Sequence, residues 1–197
     1  IQQALELNPD DEQVILTAAK IAIADEDLET AETYLDRGVQ QYPESVAVFT
    51  ARSDLARVQK NPKEAMDWLV KGLEVNSESP ILMLKKCELE LSESNVEAAG
   101  ESLVLLRGLG TRTDWVNYLE VRLLMIEEKW RKASRKLEQT MTSLLAKNPQ
   151  LTSQVYMSLA QCYENLETWD LAISAAKTVP EESPLRLAAV FIQARSF

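Results

Sequence analysis

The chain has 197 residues, of which 46% are hydrophobic and 26% charged, a globular composition with enough apolar material for a core. Five glycines and seven prolines, set among abundant Ala, Leu, Glu, Lys and Gln, leave too little punctuation for an all-β chain, so the expected class is all-α. A net charge of −10 and a pI near 4.7 oppose non-specific attraction to nucleic acid or an anionic membrane, which carry the same sign. No histidine is present, which removes the commonest zinc ligand and the commonest general base. Cys87 and Cys162 lie too far apart in sequence for a dense disulfide framework and read as small core residues. No run of about 18 apolar residues predicts a membrane span, and the opening IQQALELNP lacks the pattern of a signal peptide. The expectation is a segment not inserted in a membrane, without cofactor or metal, its compartment open between cytoplasm, which is preferred, and periplasm, and its oligomeric state open.

Along the chain, Ala31, Ala65, Ala99 and Ala133 follow one another at equal intervals, and one helical turn after each stands a leucine: Leu35, Leu69, Leu103 and Leu137. Gly38 and Gly72 continue the pattern, as do Pro9 and Pro43, each pair separated by the same interval. Asn61-Pro62 with Glu64, Ser79-Pro80 and Ser183-Pro184 each place a capping side chain before a proline, the signature of a helix start. The period predicts two antiparallel helices per repeat, A and B. Small residues then allow the backbones to approach, with a leucine one turn on to fill the space beside them. Ala172 falls five positions beyond the place that the same interval would give it after Ala133. The extra residues lie within TMTSLLAKNPQLTS and predict a longer helix B that ends at Asn148-Pro149. Thr140 stands there where a small residue is expected, and Val121 departs from the small series Ala19, Ser53, Cys87 and Ala160 of the A helices.

In these residues the sequence resembles the tetratricopeptide repeat (TPR) family, with its small residues on both helices, its large apolar residue beside them and its closing proline. The resemblance covers essentially the whole chain. It implies one right-handed α-solenoid over 1–197, with repeats near 12–45, 46–79, 80–113, 114–152 and 153–186. Residues 1–11 would end a preceding repeat and 187–197 would begin a further one.

The resemblance further implies a protein-interaction scaffold whose A helices line a concave groove. The groove positions hold Leu84, Glu88 and Leu91 in the third repeat, Trp115, Tyr118, Arg122 and Met125 in the fourth and Met157 in the fifth. They form a mixed surface with an apolar strip for a peptide or helix of a partner protein, Trp115 and Tyr118 being the expected anchors. The carboxylate clamp of some relatives is not expected, because its lysine and asparagine positions are not filled here. A structural spacer or self-association module of a larger envelope or secretion assembly is the alternative, and single-stranded RNA binding is disfavoured by charge.

Residues 127–136, EEKWRKASRK, carry five cations, and 114–149 has 7 basic and 5 acidic residues, against 7 and 16 over 1–79. The simpler reading is a solvated helix face with Glu128 and Lys132 paired one turn apart. Trp68, Trp130 and Trp169 are expected in core or turn packing. No catalytic residue is expected: the acids fall on solvent positions, the cysteines lack an activating histidine, and Gly108 and Gly110 fit an inter-repeat turn rather than a phosphate loop.

Overall fold

The computed structural model describes residues 7–110 and 113–195. Among them stand eleven α-helices and no strand. In chain order they are α1 (Glu12–Ala24), α2 (Leu28–Gln41), α3 (Val46–Val58), α4 (Pro62–Val75), α5 (Pro80–Ser92), α6 (Val96–Gly108), α7 (Thr113–Ile126), α8 (Trp130–Lys147), α9 (Thr152–Asn165), α10 (Trp169–Lys177) and α11 (Arg186–Arg195). Of the expected segment 1–11, residues 1–6 lie outside the described residues, as do 111–112 and 196–197. The chain divides into two compact bodies, Ile1–Leu89 and Glu90–Phe197.

Helix starts follow the repeat. Asp11 and Ser45 cap α1 and α3, accepting from the amides of Val14 at 3.0 Å and Val48 at 3.2 Å. Asp27, Asn61 and Asn95 do the same for α2, α4 and α6, accepting from Thr30, Glu64 and Ala98. These three caps stand one repeat interval apart, and the next position in the series is Lys129, whose side chain caps nothing. Ser183 differs from expectation. Its hydroxyl accepts from Leu185 within a turn, and α11 begins only at Arg186. Each A–B turn also holds one residue in the left-handed region: Glu26, Lys60, Ser94, Glu128 and Glu167, with φ between 56 and 60°. This conformation reverses the chain within the three residues that separate each A helix from its B helix, and here it is met without glycine, at a local steric cost.

In the first body α1 packs on α2 and α3 on α4, with α2 against α3 joining the pairs. Ala31 and Ala65 are fully buried with Leu35 and Leu69 beside them, which is the close helix contact that the period requires. Arg52 of α3 ties neighbouring repeats together: it is buried, pairs with Asp36 of α2 and lies 4.6 Å from the Trp68 ring of α4. Trp68 is thus a packing residue, with Phe49 6.5 Å away. Trp169, by contrast, is 41% exposed and leaves the core to Ala172, Ala175 and Ala176.

In the second body α7 packs on α8 and α9 on α10, with α8 against α9 and α10 against α11. The inserted residues lengthen α8 to 18 residues and add a 3-10 turn at Pro149–Leu151. The lengthened end is tied back to α7, where Asp114 accepts from Ser143 at 2.8 Å and Lys147 at 2.5 Å. Val121, the departure from the small-residue series, is fully buried against Ala133 and Leu137. Glu120 of α7 receives Lys136 of α8 at 2.8 Å and Arg107 of α6.

Two outcomes follow from this packing. A β-carbon on Gly72 would lie 2.9 Å from Leu82 and 3.0 Å from Phe49, whereas on Gly38 it would meet nothing closer than 3.4 Å. Replacing Gly72 by Ala should lower stability by about 1–2 kcal/mol in urea unfolding, since overpacking outweighs the helix gain of roughly 0.5–1 kcal/mol, and Gly38→Ala should be neutral or stabilising. The second concerns acid. Burial disfavours the Glu120 carboxylate, but the hydrogen bonds and charges of Lys136 and Arg107 outweigh it and hold Glu120 below its ordinary value of 4.5. A depressed carboxyl stabilises the fold above its unfolded value and loses that contribution as pH falls through the folded one. Thermal scans should therefore show Glu120→Gln destabilised by on the order of 1 kcal/mol at neutral pH and converging on the wild type below about pH 4.

Candidate functional site

The expected groove residues lie on three A helices: Leu84, Glu88 and Leu91 on α5, Trp115, Tyr118, Arg122 and Met125 on α7, and Met157 on α9. Leu84 and Glu88 belong to the first body and the others to the second. Leu84, Leu91, Tyr118 and Met157 are buried, with 8, 3, 6 and 8% exposure, while Glu88, Trp115, Arg122 and Met125 are half-buried. Trp115 and Tyr118 touch as a tilted pair, ring centroids 5.9 Å apart. Burial pushes the Tyr118 phenol above its ordinary value, opposed by a hydrogen bond with Ser158 and by the charge of Arg122. Tyr118 thereby joins α7 to α9, and of the pair Trp115 offers the more accessible ring.

Beyond Met157 the second body opens into a cleft of about 330 Å³ between α9 and α11. Met157, Gln161 and Glu164 line one wall and Ala188, Phe191, Ile192 and Arg195 the other. Phe191 is 57% exposed, and Arg195 pairs with Glu164 at 2.9 Å across the cleft. This second wall was not among the expected residues, although a signal existed: Phe191 and Arg195 stand one repeat interval after Met157 and Gln161.

The basic run lies elsewhere, across the turn before α8 and the first two turns of that helix. Glu128 is in that turn with φ 58°, outside the helix, and among the described residues it makes no ion pair with Lys132, so the expected one-turn pair does not form. Lys129 pairs with Glu127 at 2.8 Å and Lys136 with Glu120. Arg131, Lys132 and Arg135 are exposed. A second cleft of about 340 Å³ opens here, lined by Glu128, Lys129, Trp130, Arg131, Lys132 and Leu166. Trp130, half-buried, packs against the core of this body and also lines the cleft.

Both cysteines are buried thiols. Burial, with the charge of Glu138 adding to it, pushes Cys162 up to about 12, far from the thiolate a nucleophile needs. Tyr163 is raised for the same reasons, donating its hydrogen bond to Glu138 at 2.7 Å. Among the described residues no cluster of Cys, Asp and Glu has the grouping of a metal site, and no helix is long and apolar enough to cross a membrane.

No protein-family model and no curated protein matches the sequence. Solved structures do. A chain of the Cut9–Hcn1 hetero-tetramer of the APC/C aligns with a TM-score of 0.86 at 13% identity, over 99% of this chain and 38% of that one. Yeast Tom70 aligns with a TM-score of 0.74 at 16% identity, over 99% of this chain and 42% of its own. YrrB, a TPR protein described as having an unusual peptide-binding site, gives 0.60 at 16% identity, over 100% of this chain and 97% of its own. The chain therefore spans less than half of the first two. At these identities it is the fold that is shared, and that fold is the TPR-like α-solenoid of antiparallel helix-turn-helix repeats.

With Cys162 raised to about 12, the native protein at neutral pH should resist a maleimide reagent at this site. Labelling read by mass spectrometry should become rapid only after unfolding in guanidinium. Fast native labelling of Cys162 would reopen the question of a reactive thiol.

Proposed function

We propose that the chain is a protein-interaction scaffold that grips a peptide or helix of a partner protein on its A-helix face. The observation that carries this reading is the cleft between α9 and α11, where Phe191 stands more than half exposed beside Met157 and Ile192. An apolar side chain of a partner entering there would cover the Phe191 ring and gain on the order of 1–2 kcal/mol from burial alone. Gln161 at the wall and the Glu164–Arg195 pair at the rim supply polar groups for a peptide backbone. Trp115, beside Tyr118, and Met125, both half-buried on α7, offer a second apolar contact on the same body. Tyr118 and Met157 serve this surface as its floor, shaping it rather than reaching out of it. The peptide-binding site named for YrrB and the assembly of Cut9 with Hcn1 are in keeping with such a role.

Exposure decides which variant to use. Tyr118→Ala would empty a buried site and cost about 3 kcal/mol or more of stability, whereas Phe191→Ser removes a largely solvent-facing ring. A phage-displayed peptide library panned against the chain should enrich sequences with a large apolar residue, and Phe191→Ser should weaken them about tenfold or more while circular dichroism is unchanged. Absence of any enriched peptide, or peptides indifferent to both Phe191→Ser and Trp115→Ala, would refute groove recognition and favour the structural-spacer reading.

A further inference from the structure

We infer that the cationic face of α8 and its adjoining cleft form a second docking surface, apart from the cleft at Phe191, for an acidic peptide segment of a partner protein. Three observations meet there. The first is charge. In a chain of net charge −10, Arg131, Lys132 and Arg135 lie side by side on two turns of one helix, exposed, and in no ion pair among the described residues. Their neighbours differ: Lys136 is engaged by Glu120 and Lys129 by Glu127. The exposed cations are therefore surplus to the packing of α7 on α8, which would stand without them.

The second is shape. The cleft of about 340 Å³ beside them has an apolar lining in Trp130 and Leu166, with Lys129, Arg131 and Lys132 around its edge. Its volume admits one or two side chains, not a folded domain. The third is the pairing that did not form. Glu128 reaches the cleft from a left-handed turn and leaves Lys132 open to an external carboxylate. Together these features select a segment with an apolar residue, seated on Trp130 and Leu166, between glutamates or aspartates that meet Arg131, Lys132 and Arg135. A long polyanion such as RNA fits less well, because the favourable field is short and the chain around it is negative. This surface is distinct from the cleft at Phe191: it is built by the start of α8, the turn before it and Leu166 after α9, and the two clefts share no lining residue.

A fluorescein-labelled peptide in which a leucine pair is flanked on both sides by runs of glutamate is the probe, followed by fluorescence anisotropy. The expected result is saturable binding that weakens as salt rises, is absent for the same peptide with glutamine in place of glutamate, and falls about tenfold or more in Arg131→Glu/Lys132→Glu and less in Arg131→Gln/Lys132→Gln. Phe191→Ser should leave it unchanged, which separates this surface from the groove. Arg131 and Lys132 are exposed, so both double variants should retain the wild-type circular dichroism spectrum. Absence of saturable binding, equal binding by wild type and charge-reversed chain, or tighter binding of a single-stranded RNA homopolymer would overturn the inference. So would salt-sensitive self-association of the chain alone that Arg131→Glu/Lys132→Glu abolishes, because the acidic occupant would then be a second copy.

Discussion

Within each body the repeats depend on one close contact, the approach of helix A to helix B at a residue too small to hold them apart. Ala31, Ala65, Ala133 and Ala172 are all fully buried, and a leucine one turn beyond three of them seals the gap. This contact sets how near the paired helices lie, and the A–B turn then has room for little more than a single left-handed residue. The constraint extends to neighbouring repeats: Gly72 meets Leu82 and Phe49 so closely that even a methyl group is excess. With helices held this tightly within repeats, most interactions connect only near neighbours, as expected of a solenoid. Arg52 with Asp36 and Trp68, and Glu120 with Arg107 and Lys136, are among the polar ties that span neighbouring helices.

The same architecture separates two kinds of surface. A helices leave their outward positions free of the A–B contact, so large apolar residues such as Phe191 can stand exposed beside Met157 without disturbing the core. B helices present a different face, and α8 is distinctive among them because the insertion lengthens it and cations gather on it. Its start also breaks the series of caps Asp27, Asn61 and Asn95, with Lys129 at the fourth position. The exposed side chains of Phe191, Arg131 and Lys132 can therefore vary without disturbing the helix contacts.

The repeat period, the class and the helix starts at Asn61-Pro62 and Ser79-Pro80 were legible in the sequence, because small residues and caps act locally and recur. So was the longer α8, since an inserted stretch without glycine continues a helix until Asn148-Pro149 stops it. The site was less legible. Position in the repeat identifies which residues face outward on an ideal A helix, but it does not tell how far the next helix covers them. Tyr118 is the instance: its position suits an anchor, yet Ser158 and the surrounding core enclose it. The pairing of Glu128 with Lys132 failed for a related reason, since the left-handed turn removes Glu128 from the helix on which one-turn spacing has meaning.

What the sequence determined by itself was everything carried by periodicity: the helical class, the alternation of A and B helices, and the small residues that let them pair. What only the tertiary structure decided was exposure. Burial of Leu84, Leu91, Tyr118 and Met157, the opening of one cleft at Phe191 and another at Trp130, and the freedom of Arg131 and Lys132 all depend on how neighbouring helices fill space. Periodicity is a property of one helix and its partner, whereas accessibility is set by the helices packed around them.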